Sequence, residues 1–205
     1  MRETAVREKG ALLVISGPSG AGKGTISLAL QKDHPSLRLS VSATTRAPRK
    51  GEVDGLHYHF LQREVFKDLI KNDQLLEWAE VYGNYYGTLR RFVQETLEHG
   101  NDVILEIDIQ GALQVKRNYP DAVLVFIAPP SKSELRSRLI SRDTDSREEI
   151  EKRLSCAVSE MELARQYDFF VINDDISRAL KKIHAVITVE KLRPRYHELF
   201  ITQFK

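Results

Sequence analysis

Apolar residues occur along the chain in two patterns, as short unbroken runs and as positions three to four residues apart. The longest unbroken run covers residues 122–128, and another at residues 12–15 leads directly into a glycine-rich segment. Unbroken runs of this length are typical of strands buried on both faces, and the wider spacing is typical of amphipathic helices. Because the two patterns alternate for most of the chain, the sequence predicts an α/β fold with a mainly parallel sheet flanked by helices.

The alternation also predicts the order of the elements. Strands are predicted at residues 12–16, 37–41, 102–107, 122–128 and 169–172. Helices are predicted at residues 26–32 and 89–99, from residue 110, after a cap at Ser131, and at residues 147–166 and 176–189.

The alternation stops between residues 42 and 90. A polar, arginine-bearing loop opens this interval, and short extended runs follow at residues 58–61, 75–82 and 85–88 around one short amphipathic helix. We therefore predict a lobe inserted into the core sheet.

Length and composition suit one domain with its own core, since 41% of the 205 residues are hydrophobic. The 31 basic and 29 acidic residues leave a formal net charge of +2, which provides no overall field for nucleic acid or a membrane surface. The apolar runs are too short to span a bilayer. The single cysteine, Cys156, fits a reducing compartment, and in a helical stretch we expect its thiol to be buried. These features predict a cytoplasmic protein.

Residues 17–25 join the first predicted strand to the first predicted helix and carry the spacing Gly17-x4-Gly22-Lys23. Glycines let backbone amides approach an anion, the start of a helix attracts it, and Lys23 can reach the β- and γ-phosphates of a nucleotide. Gly24 follows where Ser or Thr is usual, so Thr25 is the nearest hydroxyl for magnesium. An ordinary glycine turn is the alternative, which the flanking strand and helix disfavour. The residues predicted to bind phosphate are Gly17, Pro18, Ser19, Gly20, Ala21, Gly22, Lys23, Gly24 and Thr25.

A second group of polar residues lies in the 42–90 interval. Arg46 and Arg49 carry guanidinium groups suited to bidentate contact with a phosphate, and Tyr58 and Tyr86 add neutral donors. A solvated basic loop and two core tyrosines are the alternative. If the four side chains converge, they form a second phosphate site.

Glu77 lies in the apolar context of residues 75–79. Its carboxylate is either on the wet face of a half-buried strand or in a pocket where it accepts hydrogen bonds. Guanine offers adjacent donors at N1 and at its exocyclic amine, whereas adenine presents an acceptor at N1. A buried carboxylate therefore favours guanine, and a hydroxyl could complete its recognition, for which Ser42 and Thr88 at the two ends of the lobe are the candidates.

Four further stretches resemble the guanylate kinases, a family of nucleoside monophosphate kinases. They are residues 40–49, 83–88, 107–111 and 171–175, and with the glycine-rich loop they extend the resemblance over residues 12–189. The resemblance implies a P-loop core with an inserted nucleotide-monophosphate-binding lobe and a helical lid. It implies one domain over residues 1–205, with a core at 10–41, 91–130 and 156–190, a GMP-binding lobe at 42–90, a lid at 131–155 and a tail at 191–205.

The resemblance also implies individual roles. The implied GMP site comprises Ser42, Arg46, Arg49, Tyr58, Glu77, Tyr86, Thr88, Glu106 and Asp108. Among these, Glu106 occupies a position where Asp is more usual, and Asp108 lies near the metal. The implied ATP site adds Asn173, near the adenine, to the glycine-rich loop. The implied catalytic cations are Lys23, Arg46, Arg138, Arg142 and Arg153, the last three from the lid and the helix after it.

The implied reaction is transfer of the γ-phosphoryl group of Mg-ATP to GMP, and to dGMP, with Mg²⁺ as cofactor. The acceptor is a phosphate oxygen that is already anionic, so no general base is needed and the six histidines have no assigned role. We expect ATP and GMP as the partners and neither nucleic acid nor a membrane, with monomer and homo-oligomer both left open.

Three other functions are open at this point. An interaction module that keeps the fold without turnover is disfavoured by Lys23 and the intact glycine-rich loop. A kinase for another monophosphate is disfavoured by Glu77 together with residues 42–49. A nucleic-acid binder is disfavoured by the near-neutral charge.

Overall fold

The computed structural model of the protein describes residues 9–81, 83–141 and 146–204, which form two sheets and the helices around them. The strands in chain order are β1 (Leu12–Ser16), β2 (Leu37–Leu39), β3 (Ala43–Thr44), β4 (His59–Phe60), β5 (Leu75–Val81), β6 (Asn84–Leu89), β7 (Asp102–Glu106), β8 (Val123–Ala128) and β9 (Phe169–Ile172). The helices are α1 (Lys23–Asp33), α2 (Arg63–Lys71), α3 (Arg90–Glu98), α4 (Ile109–Asn118), α5 (Lys132–Ile140), α6 (Arg147–Leu163), α7 (Ile176–Lys191) and α8 (Glu198–Thr202).

Five strands form the central sheet in the order β2-β7-β1-β8-β9, and every neighbouring pair is parallel. β1 lies in the middle, where Leu13 pairs with Ile104 of β7 on one side and with Val123 of β8 on the other. The predicted α/β fold with a mainly parallel sheet is confirmed. Because the strands run in one direction, the loops that follow them leave the sheet at one edge.

Helices cover both faces of this sheet, which explains why β8 is apolar at every position. On one face Leu13 and Ile15 pack with α1 and α7, and on the other Leu12 and Val14 pack with α3 and α4. Successive side chains of a strand therefore enter different apolar clusters. No helix in the described part of the chain has both the length and the apolar sequence needed to cross a bilayer.

The interval between β2 and α3 forms a second sheet in the order β4-β3-β6-β5. β5 and β6 make an antiparallel hairpin in which Glu77 pairs with Thr88. A separate apolar cluster, centred on Ala43, Phe66 and Leu75, joins this sheet to α2. The second sheet thus has a small core of its own.

α5 and α6 share a further apolar cluster that includes Leu135, Leu139 and Leu154. Ser131 caps α5 as predicted, because the amide of Glu134 donates a hydrogen bond to Ser131 Oγ at 3.0 Å. The Ser131 cap begins α5, and the shared apolar cluster packs α5 against α6.

Three local expectations differ from the structure. The second strand ends at Leu39 rather than at residue 41, because the chain leaves the central sheet there and enters β3 at Ala43. The expectation of a buried thiol is wrong: Cys156 is exposed, since Leu154 and Ala157 occupy the buried face of α6. α6 ends at Leu163, and the residues up to 166 form a tighter 3-10 turn.

The segment after α7 packs back onto the core through Tyr196, which is buried in the same cluster as α1 and α7. The Tyr196 hydroxyl donates a hydrogen bond to the buried carboxylate of Glu190 at 3.0 Å, and Arg193 Nε lies 2.8 Å from the same carboxylate. α8 follows this anchor and keeps the ring of Phe200 exposed.

Replacing Phe66 with alanine tests how far the second sheet depends on its small core. Phe66 is fully buried, so Phe66→Ala should lower the free energy of unfolding by about 3–5 kcal/mol through lost contacts and a new cavity. Phe200→Ala is the matched control at a ring that is 58% exposed, and it should change that free energy by less than about 0.5 kcal/mol. Urea denaturation measures both, and equal effects of the two substitutions would contradict this account.

Candidate functional site

The glycine-rich loop connects the end of β1 to α1, and Lys23 is the first residue of that helix. Lys23 Nζ donates hydrogen bonds to the carbonyl oxygens of Gly17 at 2.6 Å and Pro18 at 3.1 Å. The ammonium group is therefore held directly over the loop. Together with the backbone amides at the start of α1, it forms a site suited to an anion.

Asn173 supports this loop from the end of β9. Its Nδ2 donates a hydrogen bond to the carbonyl of Ala21 at 2.8 Å, and the residue is only 7% exposed. A Cβ on Gly22 would lie 2.4 Å from Asn173 Nδ2, and Gly22 has a φ of +92°. Only glycine fits both the backbone conformation and the close approach at this position. The contact of Asn173 with adenine, which the family resemblance implies, stays a prediction.

Two acidic residues lie at the end of β7, beside the loop that follows β1. Glu106 is the last residue of β7, and a Cβ on Gly24 would lie 3.5 Å from its Oε1. Asp108 caps α4, since its Oδ1 accepts a hydrogen bond from the amide of Gly111 at 2.7 Å. The carboxyl ends of neighbouring parallel strands are where ligand crevices form in such sheets.

Arg46, in the loop after β3, belongs to an ordered cluster. Its Nη1 and Nη2 donate to the two carboxylate oxygens of Glu52 at 3.0 and 2.8 Å, and the guanidinium lies 5.4 Å from the centre of the Tyr58 ring. The rings of Tyr58 and Tyr86 meet edge to face at 6.0 Å. Three of the four residues predicted to hold a phosphate are therefore together, whereas the side chain of Arg49 is exposed.

Glu52 was missed in the sequence. Besides its paired contact with Arg46, it accepts a hydrogen bond from the backbone amide of Arg49 at 2.7 Å. The Arg46 guanidinium is the main reason that the pKa of Glu52 falls to about 2. An acid six residues after Arg46 in a short polar loop was the available signal, since such a loop can fold back on itself.

Glu77 is buried, with 5% of its surface exposed. The Thr88 hydroxyl donates a hydrogen bond to Glu77 Oε1 at 2.7 Å. Burial raises the pKa of Glu77 to about 7, and the negative charge of Asp108 adds to the shift while the bonds from Thr88 oppose it. The Glu77 carboxylate therefore lies in a pocket where it accepts a hydrogen bond, and not on the wet face of the strand.

A cavity of about 290 Å³ connects these groups. It is lined by Lys23, Ser42, Tyr58, Glu77, Ala79, Val81, Tyr86, Gly87, Glu106, Ile107 and Asp108. Thr88 does not line the cavity but is hydrogen-bonded to Glu77, and Thr25 is exposed on α1.

A larger cavity of about 550 Å³ near Leu69, Arg90 and Phe92 contains none of the predicted site residues, so size alone does not identify the site.

Two of the predicted lid arginines contact the region of the glycine-rich loop. Arg138 Nη2 donates to the carbonyl of Asn173 at 3.0 Å, and Arg153 Nη1 donates to Ser19 Oγ at 3.0 Å. The third, Arg142, lies outside the described residues. The structure thus gathers cations from α1, α5 and α6 around one loop.

Comparisons with known proteins all point to one family. A family model described as guanylate kinase matches residues 9–190. The guanylate kinase of Caldanaerobacter subterraneus subsp. tengcongensis is 55% identical over 92% of each chain, and that of Clostridioides difficile is 48% identical over 97% of each. The crystal structure of guanylate kinase from Anaplasma phagocytophilum superimposes with a TM-score of 0.77 at 32% identity, covering 97% of each chain.

Glu77→Gln should remove a pH dependence of stability. The folded chain holds the pKa of Glu77 at about 7, above the ordinary value of 4.5, so it binds a proton that the unfolded chain releases between these values. Glu77 therefore favours folding at low pH, and this contribution is lost as the pH rises through 7.

Between pH 5 and pH 8, the free energy of unfolding of the wild type should fall relative to that of Glu77→Gln by on the order of 2–3 kcal/mol. Glutamine can still accept the Thr88 hydrogen bond, which makes it the appropriate comparison. Urea titrations of both proteins across this range provide the measurement, and parallel pH profiles would show that the buried carboxylate does not titrate as described.

Proposed function

Because the chain belongs to the guanylate kinase family, we propose that it transfers the γ-phosphoryl group of ATP to GMP, giving ADP and GDP. The observation that carries the proposal is the shared cavity, which is lined both by Lys23 of the glycine-rich loop and by Glu77, Tyr58 and Tyr86. A phosphate-binding cation and a buried base-reading carboxylate open onto the same space. That is the arrangement that transfer between two nucleotides requires.

In this proposal Glu77 selects guanine. Its carboxylate accepts hydrogen bonds from N1 and from the exocyclic amine, while Ser42 on the cavity wall and Thr88 behind the carboxylate supply hydroxyls. Donors from the base favour the ionised form of a carboxylate whose pKa is near 7 without ligand. Adenine would leave the buried carboxylate facing an acceptor, so the proposal predicts discrimination against AMP.

The remaining residues would compensate charge on the phosphates. Arg46, Arg49, Tyr58 and Tyr86 hold the phosphate of GMP, and the amides of the glycine-rich loop with Lys23 hold those of ATP. Arg138 and Arg153, together with Arg142, stabilise the charge that spreads over the moving phosphoryl group. The acceptor oxygen is already anionic, so the side chains position and neutralise, and none has to remove a proton.

Magnesium fits the chemistry of the residues at hand. The described residues hold no cluster of three or more His, Cys, Asp or Glu side chains able to bind a metal, and Mg²⁺ commonly needs only one or two protein oxygens beside substrate phosphates and water. Asp108, on the cavity wall, and the Thr25 hydroxyl are the groups that would hold it. When bound with ATP, the ion would neutralise charge on the phosphate oxygens.

The proposal extends to dGMP, because recognition through the base and the phosphate uses groups that GMP and dGMP share. It assigns no role to nucleic acid or to a membrane. With a single exposed cysteine and ATP as a substrate, we infer that the enzyme works in the cytoplasm.

Closure of residues 42–90 and of the lid over both nucleotides would keep water from the γ-phosphate.

A panel of acceptors tests the proposed substrate. ADP production from Mg-ATP should be seen with GMP and dGMP, whereas AMP, UMP and CMP should give little turnover because none presents two adjacent donors to Glu77. Turnover with AMP and not with GMP would refute the proposal.

Glu77→Gln should raise KM for GMP at least about 10-fold and leave KM for ATP nearly unchanged, since it removes the charged acceptor alone.

Lys23→Ala should lower kcat by at least about 100-fold, because it removes the cation aimed at the transferred phosphoryl group. Lys32→Ala is the matched control, since Lys32 is an exposed lysine in the last turn of the same helix. Steady-state assays should find kcat of the control within about two-fold of wild type, as expected for surface substitutions. Comparable loss in both variants would point to a general effect on α1 rather than to catalysis by Lys23.

A further inference from the structure

The outer edge of β5 is covered by α4 instead of by another strand. β5 is the last strand of the second sheet, so its inner edge pairs with β6 and its outer edge carries main-chain groups that need partners. Gln114 Oε1 accepts a hydrogen bond from the amide of Trp78 at 3.2 Å, and Gln114 Nε2 donates to the Trp78 carbonyl at 2.9 Å. Asn118 Nδ2 donates to the Leu76 carbonyl at 2.7 Å.

The two residues that α4 binds through these hydrogen bonds, Leu76 and Trp78, are the neighbours of Glu77 in sequence. Gly111 lies on the same helix face as Gln114 and Asn118, since the three positions are three and four residues apart. A Cβ on Gly111 would lie 2.7 Å from Glu77 Oε2, so the absence of a side chain there lets the carboxylate pack against α4. One face of α4 thus determines where the carboxylate lies.

We propose that Gln114 is a positioning residue for guanine recognition, acting through Glu77 with Asn118 as its support. This inference rests on the proposed function, in which Glu77 reads guanine. Gln114 takes the place of a neighbouring strand: it binds the amide and the carbonyl of Trp78 and so holds in place the backbone that carries the Glu77 carboxylate, which lines the cavity together with Lys23 and Asp108.

An amide side chain suits this role for a chemical reason. Gln114 meets a donor and an acceptor on the same residue, and only Asn and Gln carry both a carbonyl and an NH2 group in a fixed relation. A carboxylate at this position would still accept from the Trp78 amide but would face the Trp78 carbonyl with a second acceptor. Small displacements matter here, because the two donors of guanine require both carboxylate oxygens in place.

The test compares GMP with IMP, whose base keeps the N1 donor and lacks the exocyclic amine. Gln114→Met keeps the length of the side chain and removes its hydrogen bonds, and we expect it to lower the ratio of kcat/KM for GMP to that for IMP by about 10-fold. KM for ATP should stay within about two-fold of wild type, because the glycine-rich loop is untouched. Gln114→Glu should also lower the ratio, since it keeps the bond from the Trp78 amide but sets an acceptor against the Trp78 carbonyl.

Gln31→Ala, at an exposed glutamine on α1, is the control and should leave the ratio unchanged. Thermal unfolding of each variant shows that it is folded at the assay temperature. If Gln114→Met lowers kcat/KM for GMP and IMP equally, its role is structural and the inference is overturned.

Glu77→Gln separates this inference from the proposed function. If Glu77→Gln itself leaves the GMP to IMP ratio unchanged, the proposed reading of guanine fails and the inference with it. If Glu77→Gln lowers the ratio and Gln114→Met does not, only the inference fails. In the double variant, Gln114→Met should add less than about three-fold to the loss caused by Glu77→Gln, because both act through one carboxylate. A full additional 10-fold loss would overturn the inference.

Discussion

The parallel pairing of β1 with β7 and β8 is the constraint on which the site depends. It brings the glycine-rich loop after β1 next to Glu106 at the end of β7 and Asp108 just beyond it, and the neighbouring pairing of β8 with β9 brings Asn173 against the loop from the other side. The loop, this acidic pair and Asn173 are far apart in sequence. The direction of the strands, fixed by helices packed on both faces, is what assembles them at one edge.

Three of the described cations around the site are already held by protein oxygens. Lys23 is bonded to loop carbonyls, Arg46 to the carboxylate of Glu52, and Arg138 to Glu134 and the carbonyl of Asn173. Such contacts limit the rotamers of long side chains before any ligand arrives, which lowers the ordering entropy that binding would otherwise cost. In the proposed function, a phosphate that enters the site would exchange with these oxygens, so its affinity would reflect the difference between the two sets of contacts and not the whole of either one.

Sequence patterns predicted the parts of the fold that depend on local periodicity. The core strands and the glycine-rich loop follow from apolar spacing and glycine placement, and the Ser131 cap follows from the capping preference of serine. The apolar neighbours of Glu77 left two places open for its carboxylate, and only the structure shows the pocket. The pairing of Arg46 with Glu52 and the contact of Gln114 with Trp78 could not be read in this way, because they depend on loop geometry and on a helix meeting a strand 36 residues away in sequence. The exposure of Cys156 has the same cause, since which face of α6 is buried depends on α5.

The contact of α4 with β5 also constrains how the second sheet can move relative to the core. A closing movement that keeps the hydrogen bonds of Gln114 and Asn118 must turn about this contact. The contact holds main-chain groups of Leu76 and Trp78, which face the outer edge of β5. β3 lies two strands away from β5, at roughly 10 Å, and Arg46 follows β3. Rotation about β5 therefore displaces Arg46 much more than Glu77. Recognition of the base would then be set at the pivot, where geometry is constant, and capture of the phosphate farther from it, where the sheet moves more.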